Sequence, residues 1–396
     1  MDSPKVLTFN TGSSTLKLGL FAVGEGGARR IAKAVVDFHD EPVTFHLKAG
    51  SASQEHELTS AGRQDASAIL SEALDLLHRH AALDRLIAAG HRVVHGGDVF
   101  HGPVVVDDES LGKMEGLAQL APLHQPQSLK FIRTMRELHP ELTQVASFDT
   151  AFHTFDDTVS RRFAIPRALH DAGIKRYGFH GLSYQSILTS LRRDFPDLAE
   201  ARVIAAHLGS GASLCGMRGG VSRDTSMSFS TLDGIPMATR CGALDPGVIL
   251  HLLDACGMSR AAVEDLLYHR CGLLAVSGLS GDTRDLLASG LPEAQEAIDL
   301  FTLRIAGEIG RIAMTLGGLD ALVFTAGIGE NQPFVRAAVC ERLGWLDVRL
   351  DPQANEENAT LISHPESRIR VLVIPTDEEQ VIADEALRLA GRAVAP

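Results

Sequence analysis

Residues 203–214, Val-Ile-Ala-Ala-His-Leu-Gly-Ser-Gly-Ala-Ser-Leu, restrict the fold of this chain more than any other stretch. Four apolar residues suit a buried strand, and the strand runs directly into a Gly-Ser-Gly turn. Glycine there lets the backbone bend tightly and bring successive N–H groups close to an anion. His207 and Ser213 add side-chain donors on either flank. A lone turn of this kind is weak evidence, but this one has an echo 197 residues earlier. There the chain reads Val6-Leu7-Thr8-Phe9-Asn10-Thr11-Gly12-Ser13-Ser14. Gly12 falls on Gly209, Ser13 on Ser210, Gly19 on Gly216 and Asn10 on His207, without a gap. The offset is almost half of 396, so the pattern predicts a duplicated unit with one anion-binding hairpin per half. Two such turns facing each other across a cleft would make a nucleotide site.

A chain of 396 residues exceeds what one core usually carries, so two domains are expected. No run approaches eighteen uninterrupted apolar residues, and Met1-Asp2-Ser3-Pro4 leads straight into a strand. Neither a membrane span nor a signal peptide is therefore expected. The five cysteines (215, 241, 256, 271 and 340) are odd in number and lack metal-site spacing, which reads as reduced thiols in the cytoplasm. A net charge of −13, no basic run, one tryptophan and three tyrosines argue against a nucleic-acid partner. The same acidity sets a search rule. A site for anions must reverse the overall field locally, so arginines and histidines embedded in glycine-rich or apolar stretches are its candidates.

Along the chain, residues 5–10 and 15–22 read as a hairpin, with further strand-like material at 30–36 and 43–48 and a helix over 65–80. Leu86–Gly97 is a strand whose Arg92 sits where the apolar run approaches glycines. An arginine there is costly unless an anion meets it, either a ligand or a structural carboxylate, and both readings remain open. Helical periodicity returns near 108–120 and 126–138, separated by a proline-stiffened loop that contains His124. Residues 144–150 end a strand on Asp149, where α/β folds place catalytic groups. In the second half, His180 is packed among glycine and aromatics ahead of a helix over 182–194. Residues 222–247 are long, rich in Ser, Thr and Gly, and poorly periodic, the mark of a functional loop, and they hold Arg240 as a second anion clamp. Helices are expected at 246–256, 259–269 and 292–316, with a glycine-punctuated loop at 277–284. Residues 321–331 read as a buried strand, a Gly-x-Gly turn and the polar pair Glu330-Asn331. Glu378, after the strand at 371–374, either complements a helix N-terminus or faces a bound cation.

Seven motifs in order carry a family resemblance. They are Asn10-x-Gly-Ser-Ser-x-Leu-Lys17, His91-Arg-Val-Val-His-Gly-Gly97, Phe148-Asp-Thr-Ala-Phe-His153, Tyr177-Gly-Phe-His-Gly181, His207-Leu-Gly-x-Gly-Ala-Ser213, Ala238-Thr-Arg-Cys-Gly242 and Gly327-Ile-Gly-Glu-Asn331. The chain resembles the acetate kinase family from residue 6 to about 384. That resemblance implies a duplicated, actin-like α/β fold with two domains around a nucleotide cleft, and a homodimer. Residues 1–149 would form the N-terminal domain, with the C-terminal helix (about 383–396) packing on it, and 150–382 the nucleotide-binding domain. It also implies reversible, ATP-dependent phosphorylation of a short-chain carboxylate, giving acyl phosphate and ADP, with Mg²⁺ as cofactor and Mn²⁺ able to substitute.

By the same resemblance, Arg92 would hold the acyl carboxylate, with Val94 and Phe179 forming a small apolar pocket beside it. Arg240 and His180 would bind the oxygens of the transferring phosphoryl group, and Asp149 would orient the attacking carboxylate or the metal–water network. Asn10 and Glu378 would support Mg²⁺, largely through water. Lys17, His207, Leu208, Gly209, Ser210, Gly211, Asp282, Thr283, Arg284, Gly327, Ile328, Gly329, Glu330 and Asn331 would surround the nucleotide. A carboxylate is a poor nucleophile aimed at a highly anionic cosubstrate, so positioning and charge neutralisation must supply the catalysis.

The chain departs from the family pattern at Ala243, Ser210, Thr231 and Asp377, and in Leu182-Ser183-Tyr184 where Thr-Ser-His is common. None removes a residue assigned to phosphoryl transfer. Several touch the pocket wall or its support, which makes propionate a rival acceptor to acetate. An actin-like ATPase or chaperone-type switch without an acyl acceptor is the alternative, but it has no reason to keep both Arg92 and Arg240.

Overall fold

The computed structural model describes residues 3–12, 15–38, 42–58, 66–81, 83–122, 124–153 and 159–393. Ser13 and Ser14 of the first glycine turn, Asp65 at the start of the first expected helix, and the last residues of the C-terminal helix lie outside them. The chain divides into two compact units, one of Met1–Phe152 with Asp377–Pro396, the other of His153–Thr376.

The first unit is built on a sheet of β1 (Lys5–Thr11), β2 (Thr15–Gly24), β3 (Gly27–Asp37), β4 (Thr44–Ala49), β5 (Ala52–Glu57), β6 (Leu86–Val93), β7 (Val104–Val105) and β8 (Thr143–Phe148). Their order is β5-β4-β3-β2-β1-β6-β8-β7, with β1, β6 and β8 parallel. One face packs Leu7, Phe9 and Ala89 against the apolar stripes of helices Ala66–Ala81 and Gln125–Leu138. The other packs Val6, Ala88 and Val145 against Ala383, Ala386 and Ala390 of helix Glu378–Ala393. Small residues let that helix lie close: a Cβ on Gly90 would come within 2.6 Å of Ile382 Cγ2. The helix starts at Glu378 rather than near 383, because the Asp377 carboxylate accepts from the Gln380 backbone N–H at 3.0 Å and caps its first turn.

The second unit holds β9 (Arg202–Leu208), β10 (Ala212–Arg218), β11 (Val221–Thr225), β12 (Ala321–Thr325) and β13 (Arg370–Val373), in the order β11-β10-β9-β12-β13. β9 pairs antiparallel with β10 and parallel with β12, and β12 parallel with β13. That is the order and direction of β3-β2-β1-β6-β8 in the first unit. β1 and β9 also begin and end 197 residues apart, Lys5 to Arg202 and Thr11 to Leu208. The sequence echo is therefore a repeated fold unit. The shared glycines have a packing reason: a Cβ on Gly19 would sit 2.6 Å from Thr8 Oγ1, and one on Gly216 would sit 2.3 Å from Ile312 Cγ2 of helix Pro292–Leu316.

Three local expectations are corrected. Residues 222–225, read as the start of a loop, belong to β11 (Val221–Thr225) because their backbone pairs with β10. Residues 108–120 split into helix Asp108–Gly116 and a 3₁₀ turn at Ala118–Leu120. The Gly-x-Gly stretch after β12 is the helix Ala326–Asn331 rather than an open turn.

Candidate active site

Both units gather polar side chains at the C-terminal ends of their parallel strands, where open α/β sheets bind ligands. In the first unit these are Asn10 on β1, Arg92 on β6 and Asp149 directly after β8. Arg92 binds Asp149 with Nη2 to Oδ2 at 2.6 Å and Nε to both carboxylate oxygens at 3.1 Å. Its Nη1 donates to Asn10 Oδ1 at 3.1 Å. Asn10 Nδ2 in turn donates to Glu378 Oε2 at 2.8 Å and Glu379 Oε1 at 3.2 Å. Burial opposes the charge on Arg92, but Asp149, Glu378 and Glu379 together hold its pKa above the ordinary value. The anion meeting Arg92 in this structure is thus Asp149. Asn10 uses its amide oxygen on Arg92, so it ties the arginine to the glutamates rather than presenting a ligand atom outward. Val94, next along the chain, is 2% exposed, whereas Lys17, opposite Asn10 on β2, is exposed.

In the second unit, the turn Gly209-Ser210-Gly211 joins β9 to β10, and the rings of His180 and His207 stack beneath it at 4.3 Å and 16°. His180 Nδ1 lies 2.8 Å from Ser213 Oγ, and His207 Nδ1 lies 2.8 Å from Ser183 Oγ. Their Nε2 atoms point the other way. A Cβ on Gly209 would be 3.7 Å from His207 Nε2, and one on Gly211 would be 3.5 Å from His180 Nε2 and 3.7 Å from both Arg240 Nη atoms. Imidazoles and guanidinium converge on the two glycines of the turn, which have no side chain to fill the space. His180 itself adopts φ +56°, a left-handed conformation costly for a non-glycine residue, ahead of helix Gly181–Asp194. Phe179 is buried, and its carbonyl lies 2.8 Å from His153 Nε2.

Arg240 differs from Arg92 in its partners. Its Nη1 donates to the Thr231 carbonyl at 3.1 Å and reaches Met237 Sδ at 3.6 Å, and no carboxylate pairs with it among the described residues. Burial consequently lowers its pKa. The backbone around it is fixed by neighbouring glycines. Gly272 (φ +66°) lies so close that a Cβ would meet the Met237 carbonyl at 2.0 Å, and Leu273 and Leu274 donate to the carbonyls of Met237 and Ala238 at 2.9 and 3.0 Å. An ordered cation that faces neutral partners, with no carboxylate among the described residues, is a place prepared for an anion.

Beside this turn opens a cavity of about 520 Å³ lined by Gly209, Ser210, Ala238, Gly281, Asp282, Thr283, Arg284, Gly327, Ile328, Asn331 and Gln332. That volume suits a nucleoside-sized ligand. Most of the residues expected around a nucleotide meet here; Lys17, His207, Leu208, Gly211, Gly329 and Glu330 do not line it. Leu208 is fully buried, and Glu330 Oε1 instead accepts from the backbone N–H of Ala326 at 2.8 Å and of Thr376 at 3.1 Å. Sequence reading missed Arg336. Fully buried, it donates to the carbonyls of Gly329 and Glu330 at 3.0 Å and to Asn355 Oδ1 at 2.8 Å, clamping the helix that lines the cavity. Partners 6 to 22 residues away in sequence left no local signal.

Two units of one strand order, each with an antiparallel hairpin at the same place in its sheet, define a duplicated α/β chain of the actin-like fold class. Comparison with known proteins narrows this. Residues 5–384 match the model of the acetokinase family, and the chain belongs to that family. It is 46% identical to the acetate kinase of Methylocella silvestris, covering 98% of this chain and 99% of that one, and 38% identical to that of Rickettsia felis, covering 97% and 98%. The crystal structure of a propionate kinase from Francisella tularensis superposes with a TM-score of 0.90 at 33% identity, covering 97% of this chain and 99% of that one. Porphyromonas gingivalis acetate kinase gives 0.88 at 32%, covering 98% and 100%.

Proposed function

We propose that this chain catalyses reversible, ATP-dependent phosphorylation of acetate to acetyl phosphate and ADP by direct in-line transfer, with propionate as the rival acceptor. The observation that carries the reading is Arg240, a cation ordered among neutral oxygens beside His180 and the Gly209–Gly211 turn, next to a nucleoside-sized cavity. In this reading the cavity takes the nucleotide, while Arg240 and His180 hold the equatorial oxygens of the transferring phosphoryl group. Arg92 holds the acyl carboxylate, Val94 and Phe179 contribute apolar surface to the acyl group, and Asp149 keeps Arg92 oriented. No general base is required, because acetate is already ionised at neutral pH.

The cofactor proposed is Mg²⁺, with Mn²⁺ as substitute. Among the described residues no group of three or more His, Cys, Asp or Glu is disposed to hold a metal ion. A hard cation held mostly through water needs fewer protein ligands, and the oxygen donor Glu378, steadied by Asn10, fits that demand. When bound, the ion would neutralise phosphate charge. No helix among the described residues is long and apolar enough to cross a membrane, and a cytoplasmic location is proposed. A homodimer is also proposed; Val248 and Leu250, 40% and 60% exposed on helix Pro246–Asp254, give it an apolar surface to cover. The test is ADP release from Mg-ATP with acetate, propionate, butyrate or no acceptor, trapping product with hydroxylamine. Trapped acetyl hydroxamate is the expected result. ATP turnover indifferent to the acceptor would overturn the reading in favour of an actin-like ATPase.

A further inference from the structure

The hydroxyls behind the two stacked histidines form unequal sets. His207 Nδ1 meets Ser183. His180 Nδ1 meets Ser213, and Ser213 Oγ also hydrogen-bonds the Tyr184 hydroxyl. Tyr184 and Ser213 are fully buried. The Tyr184 ring is wedged edge-on against His153, with centroids 5.6 Å apart and planes at 75°, which fixes where its hydroxyl sits. This is also a position where the chain departs from the common Thr-Ser-His of its family, placing a phenol where an imidazole is usual.

We propose that Tyr184, acting through Ser213, fixes His180 in the tautomer that carries its proton on Nε2, so that a neutral imidazole donates a hydrogen bond toward an anion in the Gly209–Gly211 turn. A serine hydroxyl has one proton to give. With Tyr184 donating to Ser213 Oγ and the serine directing its one proton at His180 Nδ1, that nitrogen accepts and the ring proton resides on Nε2. The opposite order would set an Nε2 lone pair against incoming phosphate oxygens. Burial raises the Tyr184 phenol well above its ordinary pKa, so it keeps its proton at every working pH. Tyr184 and Ser213 are positioning residues: they act on the reaction only through His180. The nature of the anion rests on the function proposed above, whereas the tautomer does not.

The test is long-range ¹H–¹⁵N NMR of ¹⁵N-histidine-labelled full chain, with His180 assigned by its loss in H180Q. The wild type should show a protonated Nε2 and a bare Nδ1 at His180. In Y184F, which removes one oxygen and preserves the ring, that pattern should give way to a mixture of tautomers. With acetate and Mg-ATP, kcat should fall on the order of 10- to 100-fold with both KM values nearly unchanged. S213A should reproduce both effects. A proton on Nδ1 in the wild type, or an unchanged His180 pattern in Y184F, would overturn the proposal. An Nε2–H wild type that switches in Y184F but lacks acetate-dependent turnover would support the tautomer assignment and count against the kinase reading.

Discussion

Arg92 and Asp149 form a three-bond pair at the ends of two neighbouring strands, with side chains 15% and 1% exposed. Breaking a buried pair strands the remaining charge. Asp149→Ala should therefore lower unfolding free energy by about 3–5 kcal/mol, read from urea denaturation, as well as abolish turnover. A loss below about 1 kcal/mol would show that water reaches Arg92 well enough to replace its partner.

Arg240 should behave in the opposite way. It has no carboxylate to strand, and Arg240→Met keeps the stem volume beside Met237. Turnover should fall on the order of 10³-fold, while stability changes by less than about 1 kcal/mol or rises. A large loss of stability would mean the guanidinium is part of the fold rather than reserved for ligand.

Two left-handed glycines separate backbone strain from crowding. Gly257 (φ +62°) has open space around it, whereas a Cβ on Gly272 (φ +66°) would collide with the Met237 and Arg240 carbonyls. Gly257→Ala should cost about 1 kcal/mol. Gly272→Ala should cost more than about 3 kcal/mol or displace the arginine loop, measurable as lost stability or as a raised KM for ATP.

Acid should loosen the protein through buried histidines. Burial lowers the pKa of His91 to about 3, and of His95 and His153 to about 4. Their neutral forms persist in the fold while the unfolded chain takes up protons near pH 6.5. Their contribution is complete above about pH 6.5 and is lost progressively as pH falls towards 4, by about 1.4 kcal/mol per histidine per pH unit. His91 stacks on Phe9 at 4.6 Å, and among the described residues the Gln144 side chain is the polar group that favours its charged form, outweighed by burial. His91→Phe should therefore keep stability at pH 7 and flatten the fall between pH 6 and 4 in urea titrations.

The duplication was legible because glycine spacing marks it: Gly19 and Gly216 must both stay small for packing reasons that differ. Helix Pro292–Leu316 was legible from periodicity alone. Arg92 was not resolved by sequence, since its partner lies 57 residues away and a structural carboxylate predicts the same local pattern as a ligand. The left-handed turn at His180 leaves no compositional trace, because strain at a non-glycine residue is imposed by its surroundings. Arg336 and the Tyr184–Ser213 link escaped for a similar reason: their partners are brought by topology, not by spacing. Glu330 has a structural task that spacing did not show: its Oε1 accepts from two backbone N–H groups.

The neutral cradle around Arg240 also bears on how long the molecule survives. An anion seated there binds the native chain and not the unfolded one, so at 100 times its dissociation constant it adds about 2.7 kcal/mol to unfolding. The unliganded protein is the fragile form. Unfolding midpoints measured with and without such an anion should therefore separate as its concentration rises above the dissociation constant.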